Sequence, residues 1–571
     1  MKKVILVLVV LPILASTPIV YRSPAWARSG DVVITEIMAD PQPEVSLPGE
    51  EFLEISNRTD HEFSLLNWKL RSGDQKYLLP AAIIKPGEVI ILCHEPDTSL
   101  FSKFGKVLGL KQFPVLTDAG KIICLVNGSD SLIHGVEYSD EWYRDVLKED
   151  GGWSLEMIDI NFPFSGKDNW KASSSRLGGT PGKVNSMAGS NPDISFRGVE
   201  NVFPDDSLNI VVRFSEPLIN SIEVLKGSRV GEKTVIAVTR TDQLSRVFTL
   251  HLAEELEARI IYNIEVPGAL KDFAGNLVQK RNFQFGLAEK AAGGDIRFNE
   301  LLFNPFPGDP DYIELHNCSD KILDVSRLQL ATVNDETGDT SRLYQISSEK
   351  RCFLPGTYYA FTEGRENILN RFPDSGQDHL FSADEMPSMS DDEGHLLIYN
   401  RELEKIDEVY YNEKMHYQLL SGHEGIALEK TDPCSGSEVA INWHSAAGSA
   451  GWGTPGAPNS IFSEERTFTD EVSLSSSRIT PDNDGYEDFL TITFDLAGTG
   501  NVISIAMFDE AGNQVRSLVK NMLSGPGASF LWDGTADDGS PVRTGIYIVF
   551  ITMYDDSGKT NKWKKVCTVL R

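Results

Sequence analysis

Short apolar runs rich in Val, Ile, Leu, Phe and Tyr alternate along this chain with clusters of Gly, Pro, Asp and Asn. Sustained 3.6-residue periodicity is almost absent, so the pattern predicts strands joined by tight turns rather than helices. In "RVFTLHL" (246–252), Val247, Thr249 and His251 fall on one face and Phe248, Leu250 and Leu252 on the other. That period of two marks a half-buried strand. The expected fold class is all-β. At 571 residues the chain exceeds the roughly 250–300 at which a single core stops growing, so it divides into several domains.

The first residues depart from this texture. "MKK" precedes the apolar run "VILVLVVLPILA" (Val4–Ala15), and "AWA" (25–27) puts small residues at the two positions a signal peptidase reads. A signal peptide over residues 1–27 is expected, cleaved after Ala27; an uncleaved anchor is the alternative. Pro12 and Pro18 interrupt the run, which is short against the roughly 20 residues of a membrane span. No later stretch is long and apolar enough to span a bilayer.

Comparing the chain with itself reveals a duplication. "ITEIMADP" (34–41) matches "FNELLFNP" (298–305), and "EFLEISN" (51–57) matches "DYIELHN" (311–317). "KPGEVIIL" (85–92) pairs with "LPGTYYAF" (354–361), and "TDAGKIICLVN" (117–127) with "DDEGHLLIYN" (391–400). "WSLEMID" (153–159) and "DNWKAS" (168–173) return as "IALEKTD" (426–432) and "INWHSA" (441–446). A Gly-Thr-Pro-Gly turn closes both copies, in "GGTPGKVNS" (178–186) and "GWGTPGAPNS" (451–460). Pro181 presets φ and Gly182 supplies freedom after it, so the stretch reads as punctuation at the end of a domain. Constant order and a nearly constant offset mean that one domain occurs twice.

This ordered signature resembles the bacterial lamin tail domain, an Ig-like β-sandwich, over residues 31–186 and 295–460. The resemblance implies an accessory or interaction module of an exported protein. Between the copies, "FSEPL" (214–218) and "DFAGN" (272–276) make residues 193–286 similar to the Ig-like domains of surface-layer and adhesin proteins. Asp272 and Asn276, around Gly275, read there as turn formers. Residues 468–571 carry "WDGTADDGSPVRTGIY" (532–547) and resemble the flagellar-hook-assembly type of Ig-like domain. In exported proteins of gliding bacteria such a final domain is similar to a type IX sorting signal. Four tandem β-sandwiches after a signal peptide are therefore expected.

Four such domains leave only short linkers, with no room for a separate catalytic unit. Motifs agree, for the chain has no GxSxG, HExxH, P-loop or dinucleotide loop. The ten histidines are scattered singly and are expected at the surface. One repeated polar cluster stands out: Glu36, Glu54 and Asn57, echoed by Glu300, Glu314 and Asn317. Paired carboxylates can act as acid and base or hold a hard cation; recurrence in both copies favours a fold requirement, such as satisfying backbone amides at a strand end. "DNDGYED" offers Asp482, Asp484, Glu487 and Asp488 as a candidate calcium site, or a turn leading into a strand. "EWYRD" (141–145) either exposes aromatics to a partner or packs them down.

Charge narrows the partners. The 53 basic against 83 acidic side chains give a net charge of −30, which disfavours binding a polyanion such as nucleic acid. The six cysteines lack CxxC spacing, against a zinc ribbon or redox motif. Cys93 and Cys124 sit in strand-like runs, as a disulfide or as two buried thiols. The expectation is an exported, non-enzymatic protein, secreted or held on the outer cell surface. It would bind or scaffold a surface protein or glycan and engage the secretion machinery, with no certain cofactor. The alternative is a cation-dependent extracellular hydrolase or an accessory part of one.

Overall fold

The computed structural model describes residues 26–571 except 220, 335–336, 418–419, 421, 463–470, 482–486, 497–499, 526 and 556–557. The expected signal peptide lies outside the described residues apart from Trp26 and Ala27. The chain is all-β, a succession of two-layered sandwiches, each with its own apolar core. Among the described residues no helix is long and apolar enough to cross a membrane.

In the first sandwich the larger sheet comprises β1 (Val32–Met38), β2 (Phe52–Asn57), β3 (Val89–His94), β4 (Lys106–Leu110), β5 (Leu155–Met157) and β6 (Trp170–Ala172), in the order β6-β5-β1-β2-β3-β4. Its inner face presents Ile34, Leu53, Ile55 and Ile90 to a second sheet, built from Lys69–Ser72, Gln75–Leu78, Lys121–Val126 and Leu132–Tyr138. A strand with one solvated face would alternate buried and exposed, yet β1 and β2 are buried at every position. Their outer face is covered too. Met38, Phe52, Ile91 and Phe101 form a small apolar cluster there, and the remainder lies under the chain that follows β6.

The same plan returns in β7 (Ile296–Leu302), β8 (Tyr312–Asn317), β9 (Tyr358–Thr362), β10 (Leu380–Ser382), β11 (Leu428–Lys430) and β12 (Trp443–Ser445). Their order, β12-β11-β7-β8-β9-β10, reproduces the first sheet strand for strand. The duplication in the sequence is a duplication of topology.

Between the copies, residues 196–285 pack a five-stranded against a three-stranded sheet. Phe248, Leu250 and Leu252 of the strand Val247–Leu252 enter its core, as their alternation requires, and Thr249 is buried as well. In the last sandwich Gly545–Tyr554 alternates cleanly between core and half-exposed positions, and Trp532 packs edge-on against Tyr547 at 5.5 Å.

The first three sandwiches interlock. Ile322, Cys352 and Leu354 of the second copy belong to the core of the middle sandwich. Leu244 of the middle sandwich packs with Cys124, Val126 and Leu132 of the first, and Phe273 stacks on Phe164 at 4.0 Å. Lys167 reaches Glu366 at 2.8 Å, tying the first copy to the second.

One open alternative is decided and one expectation needs correction. Cys93 and Cys124 do not pair: each is a buried free thiol in a different cluster, and burial pushes both thiols up to about 12. The disulfide joins Cys318 to Cys434 instead. Not all histidines are at the surface either. His134, His316 and His416 are buried; His134 accepts from the Ile34 amide at 3.1 Å beside the bulge of β1 and contacts the Pro163 carbonyl. A single imidazole there supplies both an acceptor and a donor to main chain that has no ladder partner.

Because Ile322 is fully buried in a neighbouring core, Ile322→Ala should cost about 2–5 kcal/mol. Differential scanning calorimetry should show the transitions of the middle sandwich and the second copy moving down together.

Candidate functional site: paired carboxylate triads under a strap

Register brings three glutamates abreast. Glu36 of β1 lies opposite Glu54 of β2 on one side and opposite Glu156 of β5 on the other. Directly opposite residues project to the same face, here the outer one. All three are buried. In the second copy Glu300 of β7 lies between Glu314 of β8 and Glu429 of β11, again buried. Like charges side by side in a dry site cannot all ionise without many donors.

The Gly-Thr-Pro-Gly segment provides those donors. It is a strap laid across the sheet, more than the end-of-domain punctuation its sequence advertises. Thr180 N donates to Glu36 Oε1 at 2.7 Å, Gly182 N to Glu54 Oε2 at 2.7 Å and Thr180 Oγ1 to Glu156 Oε1 at 2.8 Å. Ser186 Oγ and Met187 N, each at 2.8 Å, take the other oxygen of Glu156. The second strap repeats this: Thr454 N to Glu300 at 2.8 Å, Gly456 N to Glu314 at 2.6 Å, Thr454 Oγ1 to Glu429 at 2.9 Å and Ser460 Oγ to Glu429 at 2.8 Å. The closing Asn of the motif fastens the strap's far end. Asn185 Nδ2 donates to the Thr35 and Met157 carbonyls at 2.8 and 2.9 Å, and Asn459 Nδ2 to the Lys430 carbonyl at 2.7 Å.

The glycines follow from this contact. Gly182 and Gly456 hold φ near +75° and +78°, and a Cβ on either would meet a main-chain oxygen at 2.5 or 2.6 Å. Only glycine fits both demands.

Burial pushes five of these acids up, and a neighbouring carboxylate adds to it for Glu36, Glu300 and Glu314 and, less, for Glu54. Glu54 and Glu300 reach about 8 and Glu429 about 7, while Glu36 and Glu314 also rise well above the usual range. One difference separates the copies. Glu300 Oε1 accepts from the Tyr312 hydroxyl at 2.5 Å, whereas Glu36 Oε1 accepts from Ser154 Oγ at 2.6 Å. Phe52 stands where the second copy has Tyr312, and Ala427 where the first has Ser154. The hydroxyl has changed strands while its target has stayed. Glu36 Oε2 is left without a partner.

Of the residues expected in this cluster, the structure brings together Glu36 with Glu54 and Glu300 with Glu314. Asn57 and Asn317 stand apart: each side chain accepts from the amide two residues on and donates to main-chain carbonyls, closing a turn at the end of β2 or β8. The third members, Glu156 and Glu429, were missed, although "SLE" and "ALE" repeat in step with the other two and carried the same signal.

The acidic loop fares differently. Asp482 and Asp484 lie outside the described residues, Glu487 bonds Arg478 at 2.8 Å, and Asp488 is buried. Trp142 and Tyr143 of "EWYRD" pack down, Trp142 against Trp170 at 6.2 Å. Asp272 accepts from the amides of Gly275 and Asn276 at 2.6 and 2.8 Å, as a turn former does.

A cleft of about 1050 Å³ opens where the three N-terminal sandwiches meet, lined by Glu137, Lys167, Arg197, Glu216 and Arg246 among others. Burial, with Asp193 and Asp272 nearby, pushes Glu216 up to about 8.

Family profiles recognise two parts of the chain: the lamin tail domain matches residues 26–140, and the type IX secretion signal domain matches residues 473–567. The chain carries a lamin tail domain and a type IX secretion signal domain. The lamin tail match ends before β5, so the strap and its third glutamate lie beyond the matched residues. The secretion signal implies delivery to the cell surface or the extracellular space. Among solved structures, the chain is similar to PorZ, a surface component of the type IX secretion system of Porphyromonas gingivalis, at 11% identity, covering 85% of this chain and 74% of that one with a TM-score of 0.18. A surface-layer protein, SbsC, aligns at 11% identity over 65% of this chain and only 54% of its own, TM-score 0.14. CopC from Methylosinus trichosporium OB3b aligns at 19% identity over 17% of this chain and 93% of its own, TM-score 0.13. At these values none carries a functional argument. No curated protein matches the chain.

Two outcomes follow for the lamin tail domain and its copy. An acid whose folded pKa is raised binds its proton more tightly in the folded state, so its contribution is complete below about 4.5 and is lost as pH climbs through 7 to 8. Thermal melts should therefore fall from pH 6 to pH 9, and the slope should flatten in Glu54→Gln/Glu314→Gln. Separately, Ser154→Ala should cost about 1–2 kcal/mol. Adding Phe52→Tyr should recover most of that loss, a coupling that a double-mutant cycle measures directly.

Proposed function

We propose that this protein is a non-enzymatic binding or scaffolding protein, sent out by an N-terminal signal peptide and held at or released from the outer surface by its last domain. Residues 295–460 act in this reading as a second lamin tail domain. The observation that carries it is the fate of the repeated carboxylates. In both copies they are sealed under a strap and consumed by its amides and hydroxyls. Groups held that way build a sandwich and do not meet a substrate. The interlocked sandwiches would present the cleft at their junction as a rigid seat, and its mixture of acidic and basic side chains suits a polar segment of a surface protein or a glycan.

A hydrolase remains the second reading because Glu216, raised to about 8, lines that cleft beside Asp193 and Asp272. An acid protonated near neutrality can serve as a general acid.

Fractionation of cells producing the full chain or a form lacking residues 468–571 tests the addressing role. The full chain should reach the surface or medium and the shortened one should stay inside; equal export of both would end that part of the reading. Purified protein should leave glycans, phosphoesters and nucleic acids intact. Hydrolysis abolished by Glu216→Gln at an unchanged melting temperature would put the enzymatic reading in its place.

A further inference from the structure

The disulfide of the second copy has a third member. His316 precedes Cys318 by two positions at the end of β8, so both project to one side of the extended chain. Cys434 comes from the loop after β11. A ring nitrogen of His316 and the two Sγ atoms all lie within 4.8 Å of one another. His316 is buried, 6% exposed, and its ring is held by stacking on Tyr358 at 4.2 Å. Nδ1 has no hydrogen-bond partner. The ring also interacts with the Thr357 main chain. A buried acceptor without a donor is costly.

The loop holding Cys434 is fastened independently of the disulfide. Lys430 Nζ donates to the Pro433 and Ser435 carbonyls at 2.9 and 2.5 Å, Asn442 Nδ2 to the Asp432 carbonyl at 2.9 Å, and the Cys434 amide to Asp432 Oδ1 at 3.1 Å. With the S–S bond open, Cys434 would still face Cys318. The first copy has Ser56, Arg58 and Asn161 at the equivalent positions, and there Arg58 Nη1 bonds the Ile160 carbonyl at 3.0 Å. Joining these two segments therefore needs no cysteine. The second copy has replaced a hydrogen bond by two sulfurs and a histidine.

We propose that His316, Cys318 and Cys434, in the dithiol form of the protein, make a two-sulfur, one-nitrogen site for a divalent cation of borderline softness, with Zn²⁺ as the reference ion. Binding converts both thiols to thiolates and releases two protons, while Nδ1 donates its lone pair. The fourth position faces solvent beside the exposed Cys434 and is filled by water. Zn–S bonds of about 2.3 Å and Zn–N of about 2.0 Å place such ligands inside the 4.8 Å envelope. Metal and disulfide are alternatives, because both need the same two sulfurs. The dithiol is the state in which the chain is synthesised, so the site requires no reductant to arise.

The test uses the full chain, reduced anaerobically by a water-soluble phosphine, which becomes its oxide as the disulfide accepts two electrons and two protons. Co²⁺ is the probe. One equivalent should bind with a sulfur-to-cobalt charge-transfer band that Zn²⁺ abolishes. The band should be absent from the disulfide form and from Cys318→Ser/Cys434→Ser, which retains the four buried thiols. His316→Gln should weaken binding at least about 10-fold, with reclosure of its disulfide on reoxidation certifying the fold. Independently of any variant, the X-ray absorption edge of the zinc-loaded protein should fit two sulfur and two lighter ligands. Equal uptake by the double serine variant, no uptake by the reduced protein, unchanged affinity in His316→Gln or a four-sulfur shell would each overturn the proposal.

Discussion

Three carboxylates abreast in the middle of a dry sheet face are the constraint around which each lamin-tail-like sandwich is organised. Desolvation alone makes such a row costly, and mutual repulsion adds to it. The fold answers with a strap whose amides and hydroxyls are spaced to meet oxygens on three neighbouring strands. Several local features follow: glycine where the strap touches main chain, proline to aim it, asparagine to pin its end. Even the uniform burial of β1 and β2 follows, because the strap and the short helix at Thr98–Phe101 close the face that a two-sheet sandwich leaves wet.

The same chemistry is reached by different residues in the two copies. A serine on one strand and a tyrosine on its neighbour deliver a hydroxyl to the same glutamate. At the bulge of the first strand, His134 accepts the Ile34 amide in one copy and Asp407 accepts the Phe298 amide in the other, at 2.9 Å. An arginine–carbonyl bond and a disulfide join the same pair of segments. What recurs is the demand of the backbone and of the buried acids; the side chain that meets it is exchangeable.

Interlocking changes what the protein can do as an assembly. Apolar residues of one sandwich complete the core of the next, so the cleft at their junction is lined by residues of all three N-terminal units.

Strand character, the repeated sheet plan and the secretion domain were legible along the chain, because alternation, turn residues and repeats are local or one-dimensional signals. Glu36, Glu54, Glu300 and Glu314 could be picked out for the same reason. Their purpose could not, since it depends on which strands become neighbours. Glu156 stands beside Glu36 only through an antiparallel pairing that spans more than a hundred residues, and the strap's meaning exists only once it lies across that row. Cysteine pairing stayed open on the same ground: Cys93 and Cys124 share apolar surroundings in the sequence, but they occupy different clusters, whereas Cys318 and Cys434, 116 residues apart, meet where a strand end faces a loop. Patterning fixes which residues leave water; pairing and packing in three dimensions decide what they then touch.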